Sequence, residues 1–222
     1  MEIWSFVNSK GGVGKSTLTV HIAHALMARG KEVCIVDADP QGSIRDWQET
    51  SQVTQFSIIG LDRKQTLKTL PFVVNAKECD YCLIDTPGRL ADIQAVAISL
   101  AHKIFIPVQP SNYDIWASSD VVELIKSRQL ALANTGGCPT SSFIINRLIA
   151  NTIIGREVRE ALKEFEMPVT NQAITQRVCY QSTIRDGAAF YSGKDAKKAK
   201  KEIDNLTSEL YRDWETDRKS VV

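Results

Sequence analysis

At 222 residues, 43% hydrophobic and 24% charged, the chain has the size and composition of one ordinary globular domain. A formal net charge of +1 excludes a chain that is basic or acidic throughout, so any charged working surface must be local. Five scattered cysteines and the lack of an apolar run near the ~18 residues that span a bilayer exclude a disulfide-stapled or membrane-crossing design, and the expected compartment is a reducing cytoplasm.

Along the chain, short β-branched runs alternate with longer segments of helical period. Residues 3–8 read as a buried strand that ends in a glycine-rich turn. Residues 15–29 read as a helix closed by Gly30 at a C-cap position. The runs 33–37, 81–85, 103–108 and 142–146 repeat the buried-strand pattern, with 56–59 a weaker strand. Helices are expected over 91–101, 114–132 and 154–165. In the last of these, Ile154, Val158, Leu162 and Phe165 share one face. A closing helix over 194–211 places Ala196, Ala199, Ile203, Leu206 and Leu210 on one stripe. This alternation predicts one doubly wound α/β domain over 1–211, a mostly parallel sheet with helices on both faces. Residues 212–222 lack useful periodicity and are expected as a frayed or non-native tail.

The segment Ser9-Lys10-Gly11-Gly12-Val13-Gly14-Lys15-Ser16-Thr17 follows the first strand and opens the first helix, which is the setting of a phosphate-binding loop. Its glycines let the backbone curl so that successive N–H groups face phosphate oxygens, and the helix N-terminus adds positive potential. Lys15 can reach the β- and γ-phosphates, Ser16 can ligate Mg²⁺, and Thr17 lies toward the α-phosphate. Two strand ends carry acids: Asp37 and Asp39 in Asp37-Ala38-Asp39-Pro40-Gln41-Gly42, and Asp85 in Asp85-Thr86-Pro87-Gly88. Both fall at the carboxyl edge of a parallel sheet, where open α/β folds bind ligands. Asp39 could instead cap a helix opening at Pro40.

With Ser9 in place of the usual first glycine and Lys10 before the glycine pair, the loop resembles the deviant Walker A loop of the ParA/MinD superfamily of P-loop ATPases. The segments Pro107-Val108-Gln109-Pro110-Ser111-Asn112-Tyr113-Asp114 and Ala173-Ile174-Thr175-Gln176-Arg177 look like those of the small ParF-type plasmid partition ATPases. The resemblance covers 1–210. It implies ATP and Mg²⁺ as ligands, with Lys10 reaching across a homodimer to the partner's phosphates and acting in catalysis beside Lys15. It also implies Asp37 and Asp85 near the metal with Ser16, Asp39 orienting the attacking water, and Gly88 allowing approach to the γ-phosphate. Asn146 and Arg147 are expected beside adenine, although Asn146 could simply end its strand.

Between Arg177 and Lys201 the sequence holds seven basic residues, Arg177, Arg185, Lys194, Lys197, Lys198, Lys200 and Lys201, against two acids. They could lie along DNA phosphates without reading sequence or form a solvated helix face. The resemblance implies a nucleoid-associated ATPase for plasmid partition. In that reading ATP closes the dimer on non-specific DNA, and a small centromere-binding, ParB/ParG-like protein stimulates hydrolysis and release, with no membrane involved. An ATP-switched adaptor that positions a protein cargo or microcompartment is the alternative. A reductase like the nitrogenase iron protein would need cluster-bridging cysteines, and the Cys79-Asp80-Tyr81-Cys82 pair has no partner pair at zinc-site spacing.

Overall fold

The computed structural model describes residues 1–50, 57–75, 79–89, 92–133, 137–149, 152–182 and 194–219. Six strands, β1 (Glu2–Phe6), β2 (Val33–Asp37), β3 (Ser57–Gly60), β4 (Tyr81–Asp85), β5 (Lys103–Val108) and β6 (Thr140–Ile145), pair in the order β3-β2-β4-β1-β5-β6. Every pairing is parallel. Ten helices complete the described chain: α1 (Lys15–Met27), α2 (Ser43–Thr50), α3 (Lys64–Leu67), α4 (Leu70–Asn75), α5 (Asp92–Leu100), α6 (Asn112–Trp116), α7 (Ser119–Leu132), α8 (Ile153–Lys163), α9 (Cys179–Ser182) and α10 (Lys194–Lys219). The doubly wound α/β expectation therefore holds, on one domain with an all-parallel sheet.

A parallel sheet needs both faces covered, and the strand side chains sort onto them with period two. Trp4, Phe6, Ile35, Leu83 and Phe105 face α1 and α10, meeting Leu18, Ile22 and Leu26 of α1 and Ile203, Leu206 and Leu210 of α10. On the other face, Ile104, Ile106 and Phe143 pack with Val121 and Ile125 of α7 and with Val158 and Leu162 of α8. Cys34, Val36, Cys82 and Ile84 cover the same side with Leu67, Leu70 and Val96. Each such aliphatic burial contributes roughly 1.5–3 kcal/mol. The expected α10 stripe is buried at all five positions.

Three local departures stand out, two of them with physical causes. The expected helix over 114–132 is two helices, because Ser118 is buried and turns its hydroxyl inward. It donates to the Asp114 carbonyl at 2.9 Å and accepts from Asn8 Nδ2 at 3.4 Å. Helix α2 opens at Ser43 after the turn closed by Gly42 N–H donating to the Asp39 carbonyl at 2.9 Å. Helix α10 continues to Lys219, past the expected end at Tyr211.

Candidate nucleotide site

Parallel pairing sets Asp37 of β2 level with Asp85 of β4, and Phe6 of β1 level with Asp85. The strand-end residues singled out by sequence thus meet at one edge of the sheet. The chain leaves β1 through Val7 and Asn8 and enters α1 at Gly14, which serves as N-cap with φ 97°. No side chain caps α1 and no acid lies in its first turn, which leaves its leading N–H groups and its dipole open to an anion.

Lys15 is buried, and its Nζ donates to the Asn8 carbonyl at 3.3 Å and the Lys10 carbonyl at 3.1 Å. Burial pulls its pKa down, while the Asp85 and Asp39 carboxylates oppose that pull. Ser16 Oγ donates to Asp85 Oδ2 at 2.6 Å. The second oxygen, Asp85 Oδ1, is buried without a hydrogen-bond partner among the described residues. Burial pushes the Asp85 carboxyl up to about 7 against the Ser16 hydrogen bond, and Asp37 adds to the rise. A hydroxyl, a buried carboxylate and an orphaned oxygen fit Mg²⁺, which takes one or two protein oxygens and keeps waters.

Asp37 is fully buried and differently employed. Its Oδ1 accepts from Asp39 N–H at 3.1 Å, and its Oδ2 accepts from Arg45 N–H at 3.2 Å and Arg45 Nε at 3.4 Å. Of the three residues expected at the metal, Ser16 and Asp85 are brought together, whereas Asp37 orders the loop that follows it.

A cavity of about 340 Å³ opens over this constellation, lined by Gly11, Gly12, Gly14, Lys15, Ser16, Thr17, Asp39, Trp47, Gly88, Arg147 and Tyr180 among others. A smaller one of about 140 Å³ shares Gly14, Thr17, His21, Arg147 and Tyr180 and adds Asn146, Ile174 and Gln176. Val13 is buried beneath the loop. Arg147 lines both cavities with φ 54°, a left-handed conformation uncommon for a side chain of its kind. Asn146 donates from Nδ2 to the Val13 carbonyl at 2.7 Å, so it braces the phosphate loop from β6. Gly88 approaches the loop itself: a Cβ there would come within 2.7 Å of Gly11 Cα.

Lys10 is not among the residues lining the larger cavity. Its Nζ pairs with Asp114 Oδ1 at 2.7 Å, and Ser111 Oγ donates to the other Asp114 oxygen at 2.5 Å. Several bracing residues escaped sequence reading. Gln94 Nε2 donates to the Asn8 and Pro87 carbonyls at 3.0 and 2.6 Å, Gln109 Nε2 to Gly12 at 2.9 Å, and Thr86 Oγ1 to Phe6 at 2.7 Å. The available signal was a polar residue set into an otherwise apolar segment, as at Asn8 and Gln94.

The basic set divides. Lys197, Lys198, Lys200 and Lys201 are exposed on α10. Arg177 is instead held by Glu202, NH2 to Oε1 at 2.6 Å, and by Asp195, so it contacts phosphate only by giving up those partners. Burial alone would raise Glu202, but hydrogen bonds from Arg177 and Thr175 outweigh it and hold the carboxyl low. Arg185 and the Lys194 side chain lie outside the described residues. Among the described residues no group of three or more His, Cys, Asp or Glu is placed to hold a metal, and no helix is long and apolar enough to cross a membrane. Cys82 is buried inside β4.

Residues 4–192 match the family described as the CobQ/CobB/MinD/ParA nucleotide binding domain. The chain belongs to that family. The chain is similar to Maintenance of carboxysome distribution protein A of Halothiobacillus neapolitanus, 27% identical over 210 residues, spanning 91% of this chain and 93% of its own length. Protein ParA of Rhizobium radiobacter is 23% identical over 199 residues, 87% of each chain. Cobyrinic acid a,c-diamide synthase of Mycobacterium smegmatis, solved with a bound ATP analogue and magnesium, has a TM-score of 0.74 at 19% identity. That match covers 99% of this chain and 97% of the other, a likeness of fold.

Proposed function

We propose that this member of the nucleotide-binding family is a Mg²⁺-dependent ATP hydrolase that works as a dimerising switch and positions a protein-built cargo. The observation that carries the ATPase reading is the convergence of Lys15, Ser16 and Asp85 beneath an uncapped helix N-terminus that opens into the larger cavity. Phosphoryl transfer asks a protein for positioning and charge compensation more than for covalent chemistry. Lys15 supplies fixed positive charge for the β- and γ-phosphates. Ser16 and Asp85 hold Mg²⁺, which when bound neutralises charge developing on the phosphate oxygens. Asp39 lines the same cavity and orients the attacking water. Lys10, paired with Asp114 outside that cavity, is the residue for a second subunit's phosphates.

Cargo positioning takes precedence over plasmid partition, which the motifs alone had favoured, because the Halothiobacillus relative is named for carboxysome distribution. The exposed lysines of α10 supply a non-specific hold on the nucleoid in either reading. Similarity to the Rhizobium ParA favours the second reading, partition with a centromere-binding partner.

The test has two stages. Oligomeric mass and retention on unrelated DNA are measured with ADP, ATP and a slowly hydrolysed analogue, for wild type and for Lys10→Ala and Lys15→Ala. An ATP-specific dimer that holds DNA and is lost in both variants is the expected result; no nucleotide-dependent change would sink the switch. In cells, deletion should leave the cargo clustered with plasmids retained. Plasmid loss with normal cargo spacing would establish partition instead.

A further inference from the structure

Arg45 is a half-buried residue of α2 that holds one end of the site together. Its backbone N–H and Nε both donate to Asp37 Oδ2, at 3.2 and 3.4 Å. Its NH2 donates to the Asp39 carbonyl at 3.2 Å and to Asp62 Oδ2 at 3.1 Å. One planar guanidinium therefore spans the start of the loop, the backbone of Asp39 and an acid beyond β3.

Two glycines leave the room it occupies. A Cβ at Gly60 would lie 3.1 Å from NH1 and 3.2 Å from Cδ of Arg45, and a Cβ at Gly42 would lie 3.2 Å from NH2. The loop closes on itself as well, since Asp39 N–H donates to Asp37 Oδ1 and Gly42 N–H donates to the Asp39 carbonyl. Asp39 is thus held at both its amide and its carbonyl, while its carboxylate lines the cavity with Oδ1 accepting from Gln41 N–H at 2.9 Å. Arg45 is the cation that neutralises the buried Asp37 on this side, with Lys15 lying across the site near Asp85.

We propose that Arg45 is a positioning residue for hydrolysis: it clamps Asp37 and the Asp39 backbone so that the Asp39 carboxylate meets the attacking water in line. This rests on the ATPase reading above. A lysine cannot do the same work, because a point charge on a flexible stem does not bridge a carboxylate and a carbonyl with fixed geometry.

The test compares wild type, Arg45→Ala, Arg45→Lys and Asp62→Asn, reading ATP affinity with a fluorescent analogue separately from steady-state turnover. Arg45→Ala is expected to lower kcat 10- to 100-fold with ATP affinity changed less than about threefold. Arg45→Lys should recover little of it, and methylguanidinium added to the alanine variant should restore several-fold of the lost rate. Asp62→Asn, which leaves Arg45 in place and removes only the negative charge of its outer anchor, should lower kcat a few-fold. Unchanged kcat in Arg45→Ala, a loss fully matched by weaker ATP binding, or full rescue by lysine would overturn the assignment. Failure of wild type to bind ATP would overturn it together with the ATPase reading, and is told apart because wild type fails as well.

Discussion

At the scale of single residues, the turn into α1 leaves no space for one more carbon at Gly14, whereas Gly11 and Gly12 face open space. A Cβ on Gly14 would sit 2.1 Å from Asn146 Nδ2, and the residue holds φ 97° besides. Gly14→Ala must displace Asn146 and strain the helix entry. We expect ATP affinity to fall about 5- to 150-fold, in line with a local cost of about 1–3 kcal/mol, while thermal unfolding remains cooperative. Calorimetric titration with ATP checks this, and unchanged affinity would refute the bracing role of Asn146. His21 and His24 on α1 carry a separate prediction. Burial, together with the neighbouring His24, pulls His21 down to about 3, and burial pulls His24 down to about 4. Both are neutral in the folded protein at pH values where the unfolded chain, near 6.5, takes up protons. The folded state then binds fewer protons, so their contribution is present above about pH 6.5 and is lost as pH falls toward about 4. Asp85, held up near 7, acts in the opposite sense over the same window. The histidines are therefore read from the difference between wild type and a His21→Gln, His24→Gln variant. Unfolding free energies from urea titrations between pH 7.5 and 5 should fall more steeply for wild type, by up to ~1.4 kcal/mol per pH unit for each histidine. Parallel curves would refute it.

At the scale of elements, α10 is the closing layer of one sheet face and the outer wall of the smaller cavity's supporting segment. Leu206 is fully buried among α1 and the strands, and Leu206→Ala should cost about 2–5 kcal/mol. Glu202 joins the same helix to α9 and the segment before it, accepting from Thr175, Tyr180 and Arg177. Glu202→Ala leaves Arg177 and Thr175 without those acceptors and should cost roughly 1–3 kcal/mol. Chemical denaturation of the two variants checks both figures. A Glu202→Ala protein as stable as wild type would show the cluster to be a surface ornament. The split of α6 from α7 lies at this scale too. Asp114, Ser118 and Asn8 have ordinary helix or strand positions locally, and only their meeting near the phosphate loop makes a break preferable to a continuous helix.

At the scale of the whole molecule, near-zero net charge conceals a basic face, because Lys197, Lys198, Lys200 and Lys201 all lie on the exposed side of α10. Replacing the four by glutamine should weaken ATP-dependent DNA retention uniformly across sequences. It should also flatten the salt dependence by about 0.9 in log–log slope for each lysine that had touched a phosphate. A salt slope equal to wild type would place the DNA surface elsewhere. Much of this architecture was legible in the sequence. Period-two and helical stripes specify which residues must be hidden, and the placing of Lys10–Thr17, Asp37, Asp39 and Asp85 at or just beyond strand ends brings them to one sheet edge, because local spacing already determines which groups can point together. What only the tertiary structure decided is how those groups divide their work. Asp37 bonds to its own loop while Asp85 keeps an oxygen open, Asn146 braces Val13, and Lys10 rests on Asp114. Arg177 pairs with Glu202, and Arg45 fills the space left by two glycines. Each of these partners lies in a different element from the residue it holds or was brought near by a turn, so the choice among donors and acceptors was made by packing distances that no sequence spacing encodes.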